Sequence, residues 1–321
     1  MTGSGLLEAT TTRSRYRAYG VELACEFPLP WGSVGTGAGV ARWAVTAAAR
    51  PRPLVEALWS GASGDPVHST VLSDGRALVI ERGRVGDHLI RFGEHPFHLT
   101  PDLRQLTCAP PRGPDPAWLR VLFDWVAYAI CALRGSHCLH ASAVRTEAGV
   151  VALAAPSGMG KTTLAAALLG PATTFFCDDV LVLERGAGGV LGHPGPPFAN
   201  VAGADRLTAA RLGARSGPLG GDLWVSVRRP AAEPAPVAAV VLLERGEDGP
   251  ATPELDTAGF PALRRLVVGF PGTVAREAER LSLLSALASQ ASVLRLRASR
   301  STPAEDLARS IRARLGAPEA R

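Results

Sequence analysis

The feature that most constrains the fold is a continuous apolar run that enters a glycine-rich loop and then a helix-forming segment. Residues 150–156 read VVALAAP, residues 155–163 read APSGMGKTT, and residues 161–169 read KTTLAAALL. In such a strand–loop–helix unit, the N–H groups of the loop and of the helix N-terminus converge on phosphate oxygens. The stretch therefore predicts a phosphate-binding loop in an α/β sheet.

The loop departs at one place from the pattern G-x-x-x-x-G-K-S/T, because Ala155 occupies the first glycine position. Gly158 and Gly160 still supply the backbone freedom that the tight side of the loop needs. A small residue at the strand exit follows the same path if its φ stays negative. The other interpretation, a turn that only caps a helix, leaves the single lysine of the chain unexplained.

That lysine is Lys161, and every other residue in the Lys+Arg total of 34 is an arginine. A compact ammonium on a flexible stem suits a phosphate loop, where a planar guanidinium fits poorly. We expect Lys161 to reach the β- and γ-phosphates of ATP and the Thr162 hydroxyl to bind Mg²⁺. The predicted ATP-binding residues are Ser157, Gly158, Met159, Gly160, Lys161, Thr162 and Thr163.

Two adjacent acids, Asp178 and Asp179, form the second feature. They interrupt the strand-like run TTFFCDDVLVLE, which we expect to return beside the loop strand in a parallel pair. Neighbouring side chains at a strand end point to different faces. One carboxylate then faces Mg²⁺ beside Thr162, and the other accepts the proton of an acceptor hydroxyl. A solvated turn is the plainer interpretation, but the apolar flanks indicate a buried neighbourhood.

His140, in the segment LHASAV, is the third candidate. A single histidine in an apolar strand is most often a core residue. Its strand, however, precedes residues 150–156 through a short turn, so a hairpin should place His140 within reach of the loop or the acids. His137 is interpreted as structural. Arg228 or Arg229 is predicted to stabilise charge on the transferring phosphoryl group.

The chain as a whole indicates two domains. Residues 16–108 are mostly strand-like, and the proline-rich residues 110–116 form a natural boundary. Beyond it, strands alternate with helical patterns, which is typical of an α/β sheet. We therefore predict a β-rich substrate or accessory domain over residues 1–109 and an ATP-binding catalytic domain over residues 110–321.

Local signals fix some elements within these domains. Asp74 and Gly75 lie between two β-prone runs and predict a hairpin turn. Near the end of the chain, the pattern predicts a helix over residues 274–290, a strand SVLRLRA and a final helix. That final helix is expected to have Thr302 as its N-cap and to end at Gly316.

Composition excludes several classes of protein. The chain has 46% hydrophobic and 20% charged residues, as ordinary globular proteins do, and its five cysteines show no C-x-x-C pairing. The arginines are scattered and not interleaved with aromatic residues, which gives nucleic-acid binding little support. Neither a signal-peptide pattern nor a membrane-length apolar run is present. We therefore expect reduced thiols and a cytoplasmic protein with no membrane or nucleic-acid partner.

Together these motifs resemble the catalytic domain of the bacterial HPr kinase/phosphorylase family. The resemblance is closer to the HPr-kinase-like serine kinases found beside peptide-tailoring genes, such as the lasso-peptide kinases. It rests on LHASAV, a loop of the type S-G-x-G-K-S/T and the Asp-Asp pair, with the N-terminal segment YGVELACEFPLPW also similar. It implies a P-loop kinase domain related to phosphoenolpyruvate carboxykinase, with Mg-ATP as donor and a serine-type hydroxyl as acceptor.

The resemblance also implies roles for single residues. By position, Asp178 resembles the catalytic base, Asp179 and Thr162 the metal side, and His140 a phosphate or acid partner beside the catalytic Lys161. The family's later glutamate-containing metal signature has no match here, and Asn200 in HPGPPFANV belongs to no motif that can be mapped.

The first hypothesis is a cytoplasmic ATP-dependent kinase that phosphorylates a serine or threonine on a ribosomally made precursor peptide in natural-product biosynthesis. The β-rich domain would seat that peptide along an exposed strand edge. Two other hypotheses stay open, a kinase for a small hydroxylated molecule and a non-catalytic ATP-binding regulator.

Overall fold

The computed structural model describes residues 14–27, 41–71, 77–111, 116–203, 205–219, 221–247, 249–250, 252–264, 267–268 and 274–316. These residues form two compact units. The first unit takes residues 14–17, 22–27 and 41–111, and the second takes residues 18–21 and those from 116 onward. The functional division between residues 1–109 and 110–321 stays a prediction.

The first unit is rich in strands. Its elements are β1 (Ser14–Ala18), β2 (Val21–Cys25), β3 (Trp43–Ala49), α1 (Arg52–Ala57), β4 (His68–Val71), β5 (Ala77–Arg82), β6 (His88–Phe92), β7 (His95–Leu99) and β8 (Gln105–Cys108). Among the described residues the strand order is β1-β2-β3-β8-β7-β6-β5-β4. The β4–β5 and β6–β7 pairs are antiparallel, as expected for hairpins, while the turn predicted at Asp74 and Gly75 lies outside the described residues.

The second unit mixes helices and strands. It begins with α2 (Pro116–Arg120), a π-helical segment (Val121–Ala127) and α3 (Tyr128–Leu133). The middle contains β9 (His137–Thr146), β10 (Gly149–Ala154), α4 (Lys161–Leu168), β11 (Thr174–Cys177), β12 (Val180–Gly186), β13 (Gly189–His193) and β14 (Phe198–Ala202). Next come α5 (Arg206–Leu212), β15 (Gly213–Leu219), β16 (Asp222–Val227), β17 (Ala235–Gly246), β18 (Glu254–Thr257), α6 (Phe260–Leu263), β19 (Val267–Val268), α7 (Val274–Gln290), β20 (Ser292–Ser299) and α8 (Ala304–Leu315).

A mixed sheet forms the centre of the second unit. Strands β9 and β10 form the expected antiparallel hairpin, with Ala141 opposite Ala154. Strand β10 also pairs in parallel with β17, and β17 pairs in parallel with β20. Because neighbouring parallel strands end at one edge of a sheet, the end of β17 lies beside the loop that follows β10. A smaller sheet has the order β14-β16-β15.

Helices cover both faces of this sheet, which makes the fold mixed α/β. On one face Leu283, Leu284 and Leu287 of α7 pack against buried residues of β10 and β17. On the other face Leu164 of α4 and Ile311 of α8 share a second buried cluster. Strands buried on both faces read as continuous apolar runs, and this explains the composition of residues 150–156.

The strand that carries the two acids is placed differently from the prediction. We expected it to pair in parallel with the loop strand, but β11 pairs antiparallel with β9. Strand β9 therefore lies between β10 and β11, which run in the same direction without being hydrogen-bonded to each other. The hairpin explains this, because the edge of β10 where the acids were expected is already occupied by β9.

The final helix begins one residue later than predicted. Its N-cap is Pro303 and no side chain caps it, whereas Thr302 Oγ1 is buried without a hydrogen-bond partner. The predicted N-cap at Thr302 is therefore wrong. The end of the helix is as predicted, because Gly316 has the left-handed conformation, with φ 67, that favours glycine.

Replacing Gly149 by alanine should destabilise the second unit. Gly149 has φ +128, and a Cβ there would lie 2.4 Å from the carbonyl oxygen of Pro236. We expect Gly149→Ala to lower the free energy of unfolding by roughly 2–4 kcal/mol. The control is Gly188→Ala in the β12–β13 turn, where a Cβ meets no atom within 4 Å. Urea unfolding of the two variants checks this, and equal midpoints would contradict it.

Candidate active site

The loop between β10 and α4 contains two glycines in the left-handed conformation. Gly158 and Gly160 have φ values of 79 and 87, which residues with side chains rarely adopt. A Cβ at Gly158 would meet no atom within 4 Å, so the space above it is open. Ala155 keeps a negative φ and is buried, so the loop does not require a glycine at that position.

Three other loop residues predicted to bind ATP have different surroundings. Ser157 is exposed, and Met159 is partly buried against the cluster beneath α4 and α8. The Thr163 hydroxyl donates to Asp205 Oδ2 at 3.2 Å, and Asp205 is the N-cap of α5. Thr163 therefore links α4 to α5. Ser157 and the two glycines lie on the open side of the loop.

His140 lies beside the loop, where the sequence predicts it to be within reach of the loop or the acids, and its contact there is Lys161. Lys161 is only 6% exposed, and its Nζ donates to the carbonyl oxygens of Ala155 and Pro156 at 3.1 and 3.3 Å. The same Nζ lies 3.1 Å from His140 Nε2. An ammonium only donates, so Nε2 accepts and His140 is assigned as the neutral tautomer protonated on Nδ1. Burial, and then the charge of Lys161, lower the pKa of His140, which agrees with this assignment.

Asp178 is buried and its carboxylate is held by three donors. Ser142 Oγ and Thr162 Oγ1 donate to Oδ1 at 2.5 and 2.8 Å, and the backbone N–H of Asn200 donates to Oδ2 at 3.0 Å. Burial, and then the neighbouring charge of Asp179, raise the pKa of Asp178 to about 6.

Asp179 has a left-handed backbone, with φ 59, and turns its side chain the other way. Its carbonyl oxygen accepts from the backbone N–H of Ala141 at 3.2 Å and lies 3.0 Å from His140 Nδ1. The carboxylate is 36% exposed and lies 3.7 Å from Arg120 Nη2. One acid of the pair is therefore buried and the other is accessible.

The structure places the two acids differently from the expectation that Asp179 lies beside Thr162. The carboxylate next to the Thr162 hydroxyl belongs to Asp178. The physical reason is the backbone of Asp179, whose positive φ breaks the regular alternation of side chains between β11 and β12.

The two arginines proposed to stabilise phosphoryl charge lie elsewhere. Arg228 Nη2 donates to the carbonyl oxygens of Ala210 and Gly213, and Arg229 donates to those of Gly170 and Pro171. Arg228 therefore contacts the C-terminal part of α5, and Arg229 contacts the segment that follows α4. The structure does not bring either arginine to the loop between β10 and α4.

Arg245 lies at the loop instead. It is near the end of β17, and its Nη1 is 3.1 Å from where a Cβ on Gly160 would be. It donates from Nη2 to the carbonyl oxygens of Arg300 and Thr302 at 2.5 and 2.7 Å. Burial, and then Arg300, lower its pKa. Arg245 is not among the residues predicted from the sequence, although its place at the end of an apolar strand is a usable signal.

A further pair, Arg120 and Asp124, was also missed. Arg120 Nε lies 3.3 Å from Asp124 Oδ2, in a helix whose π-helical segment begins at Val121. Burial raises the pKa of Asp124 to about 7, with Asp179 and Asp178 acting in the same direction and Arg120 against them. No short motif marks the pair of Arg120 and Asp124. Ser142 could have been predicted as a site residue, because it lies two residues after His140 and so on the same face of the strand.

The donors at the site fit Mg²⁺. Thr162 offers a hydroxyl and Asp178 a carboxylate, and hard oxygen donors are what this ion binds. Over the described ranges, three or more His, Cys, Asp or Glu side chains are nowhere grouped so that they could hold a metal. A site with two protein oxygens suits an ion that takes its remaining ligands from water and substrate phosphates.

The five cysteines are buried and none of them forms a disulfide, in agreement with the expected absence of a disulfide framework. Burial keeps the pKa of the Cys177 thiol, next to the acids, well above its usual value. Of the helices that the structure describes, none is long and apolar enough to cross a membrane.

Comparisons with known proteins find similarity among solved structures only. No protein-family model matches the chain, and a search of curated proteins finds no match. Among solved structures, the chain is similar to the Hpr(Ser) kinase/phosphatase from Coxiella burnetii. The two share 16% sequence identity over 46% of this chain and 93% of the other, with a TM-score of 0.24.

Asp124 should make the folded chain less stable as the pH rises. Its folded pKa of about 7 lies above the ordinary value of an aspartate, so its contribution is fully present below about pH 4 and is lost as the pH rises through 7. The side chain stays 21% exposed, which reduces the effect. Relative to Asp124→Asn, wild type should lose on the order of 2 kcal/mol between pH 4 and pH 8.

Urea unfolding of both proteins at several pH values measures this difference. Groups that titrate in both proteins cancel in the comparison. A difference that stays constant with pH would contradict the raised pKa of Asp124.

Proposed function

We propose that the chain is an ATP-dependent kinase that transfers a phosphoryl group to a hydroxyl, with a serine or threonine of a peptide as acceptor. One observation carries the proposal: the 2.8 Å hydrogen bond between Thr162 and Asp178, by which a phosphate-type loop meets a pair of acids from another element. Phosphoryl transfer needs a phosphate cradle, ligands for Mg²⁺ and a group that takes the proton of the acceptor, whereas a loop that only caps a helix has no use for two acids beside it.

Residues 157–163 would form the nucleotide side. The loop N–H groups and the N-terminus of α4 would donate to phosphate oxygens, and Lys161 would add its positive charge. Thr162 and Asp178 would hold Mg²⁺, which neutralises charge on the β- and γ-phosphates. Arg245 replaces Arg228 and Arg229 as the proposed arginine at the phosphates, because its guanidinium lies against Gly160.

Asp179 would act on the acceptor side. Its carboxylate is accessible, whereas both oxygens of Asp178 already accept hydrogen bonds. Asp179 would take the hydroxyl proton as the acceptor oxygen bonds to the γ-phosphorus and the bond from that phosphorus to ADP breaks. This proposal exchanges the roles of the two acids that the family resemblance implies. His140 would hold Asp179 in place by donating from Nδ1 to the backbone carbonyl oxygen of Asp179.

A peptide acceptor is supported by the sheet of the first unit. Strands β1 and β4 are the outer strands of its described part, and β4 alternates between partly buried and exposed residues. An outer strand has free backbone groups to which an extended peptide can add. We propose that the acceptor is a ribosomally made precursor peptide in natural-product biosynthesis. None of the five cysteines forms a disulfide, which supports a cytoplasmic location.

Incubation with [γ-³²P]ATP, Mg²⁺ and serine- or threonine-containing precursor peptides tests the proposal. We expect labelled peptide and, by mass spectrometry, one added phosphate. Lys161→Met should lower transfer about 100-fold or more. ATP binding without any labelled product would favour a regulator, and label in a small alcohol alone would favour a small-molecule kinase. A chain that does not bind ATP would overturn the proposal.

Asp178→Asn and Asp179→Asn should separate the two roles. Asp179→Asn is expected to slow transfer by about 100- to 10,000-fold with unchanged ATP affinity, because it removes only the proton acceptor. Asp178→Asn should weaken ATP binding in Mg²⁺ but not in its absence. Calorimetry with a non-hydrolysable ATP analogue measures the affinities, and the reverse pattern would return the base role to Asp178.

A further inference from the structure

Arg120 bridges two carboxylates that lie on different elements. Its Nε is 3.3 Å from Asp124 on the same helix, and its Nη2 is 3.7 Å from Asp179 between β11 and β12. The guanidinium stands at the junction of α2 with the π-helical segment, whose Val121, Leu122 and Phe123 are buried. Single π-helical turns within α-helices occur often at functional sites.

Arg120 differs from most of the groups around Asp179 because it carries a positive charge. Tyr19 and Cys177 lie near the acids as neutral groups, because burial raises the pKa of both side chains. His140 is neutral as well. Lys161 and Arg120 are both cations near Asp179, and Lys161 already donates to two loop carbonyls.

We propose that Arg120 is a positioning residue that fixes the Asp179 carboxylate on the acceptor side of the site, and that Asp124 fixes Arg120. The inference rests on the proposed function. The Asp179 carboxylate is accessible and its backbone is left-handed, so its side chain needs an outside contact to define its direction. Arg120, on a helix with a buried face, supplies that contact.

Because the ion pair of Arg120 and Asp179 is partly exposed, an experiment can distinguish a positioning role of Arg120 from a structural one. Arg120 and Asp179 are 28% and 36% exposed. Ion pairs this accessible to water contribute little to folding stability, so removing Arg120 should leave the stability of the chain nearly unchanged. If Arg120 positions Asp179, its loss appears in the rate of transfer and only when Asp179 is present.

A double-mutant cycle tests this, with water as acceptor and [γ-³²P]ATP hydrolysis as the assay. The proteins are wild type, Arg120→Gln, Asp179→Asn and the double variant, and a fluorescent ATP analogue reports nucleotide affinity. We expect Arg120→Gln to lower kcat about tenfold with unchanged affinity, because a misplaced group costs rate and not binding. In the Asp179→Asn background the same change should have less than about a twofold effect.

Two matched variants complete the experiment. Arg120→Lys should recover part of kcat, because it restores the charge but not the guanidinium fork. Arg309→Gln, which removes an exposed arginine paired with Asp306 on α8, should leave kcat unchanged.

Several results would overturn the inference. An Arg120→Gln effect of the same size with and without Asp179 would show that Arg120 does not act through Asp179. An unchanged kcat in Arg120→Gln, or weaker nucleotide binding by that variant, would also contradict a positioning role. So would a wild-type chain that binds ATP and releases no phosphate. Failure of wild type to bind ATP at all would instead identify the proposed function as the error, and the inference would fall with it.

Discussion

The buried carboxylate of Asp178 is the interaction on which the arrangement of the site depends. It accepts from Ser142 on β9, from Thr162 on α4 and from the backbone of Asn200 on β14. An ionised group without such partners would cost several kcal/mol to bury, by order of magnitude. The sheet, the helix after the loop and the smaller sheet must therefore be in place together for this carboxylate to be accommodated.

The second constraint is the left-handed backbone of Asp179, which gives two identical side chains opposite surroundings. Strained backbone of this kind costs about 1–3 kcal/mol and persists where the neighbours hold it. Here His140 and Ala141 of β9 hold the Asp179 carbonyl. One acid thereby stays with the loop hydroxyl and the other faces outward, and the proposed kinase would use the first for the nucleotide side and the second for the acceptor.

Much of the fold follows from local pattern. The β9–β10 hairpin, the loop, the helix from Lys161 and the helix over residues 274–290 all lie where the sequence predicts them. The errors come from tertiary pairing and from backbone detail. The parallel partner of β10 is β17, which lies more than eighty positions further along the chain. Helix α8 begins one residue later than predicted, because its N-cap is Pro303.

The sequence alone determined the chemistry present near the loop: one lysine, a hydroxyl, two adjacent acids and a histidine, at spacings that a strand, a turn and a helix bring together. Only the tertiary structure decided which acid touches Thr162 and which arginines are near. Arg245 and Arg120 reach the site, while Arg228 and Arg229 do not. The physical reason is that alternation and periodicity fix side-chain direction within an element, whereas contacts between elements depend on strand pairing and on single backbone angles.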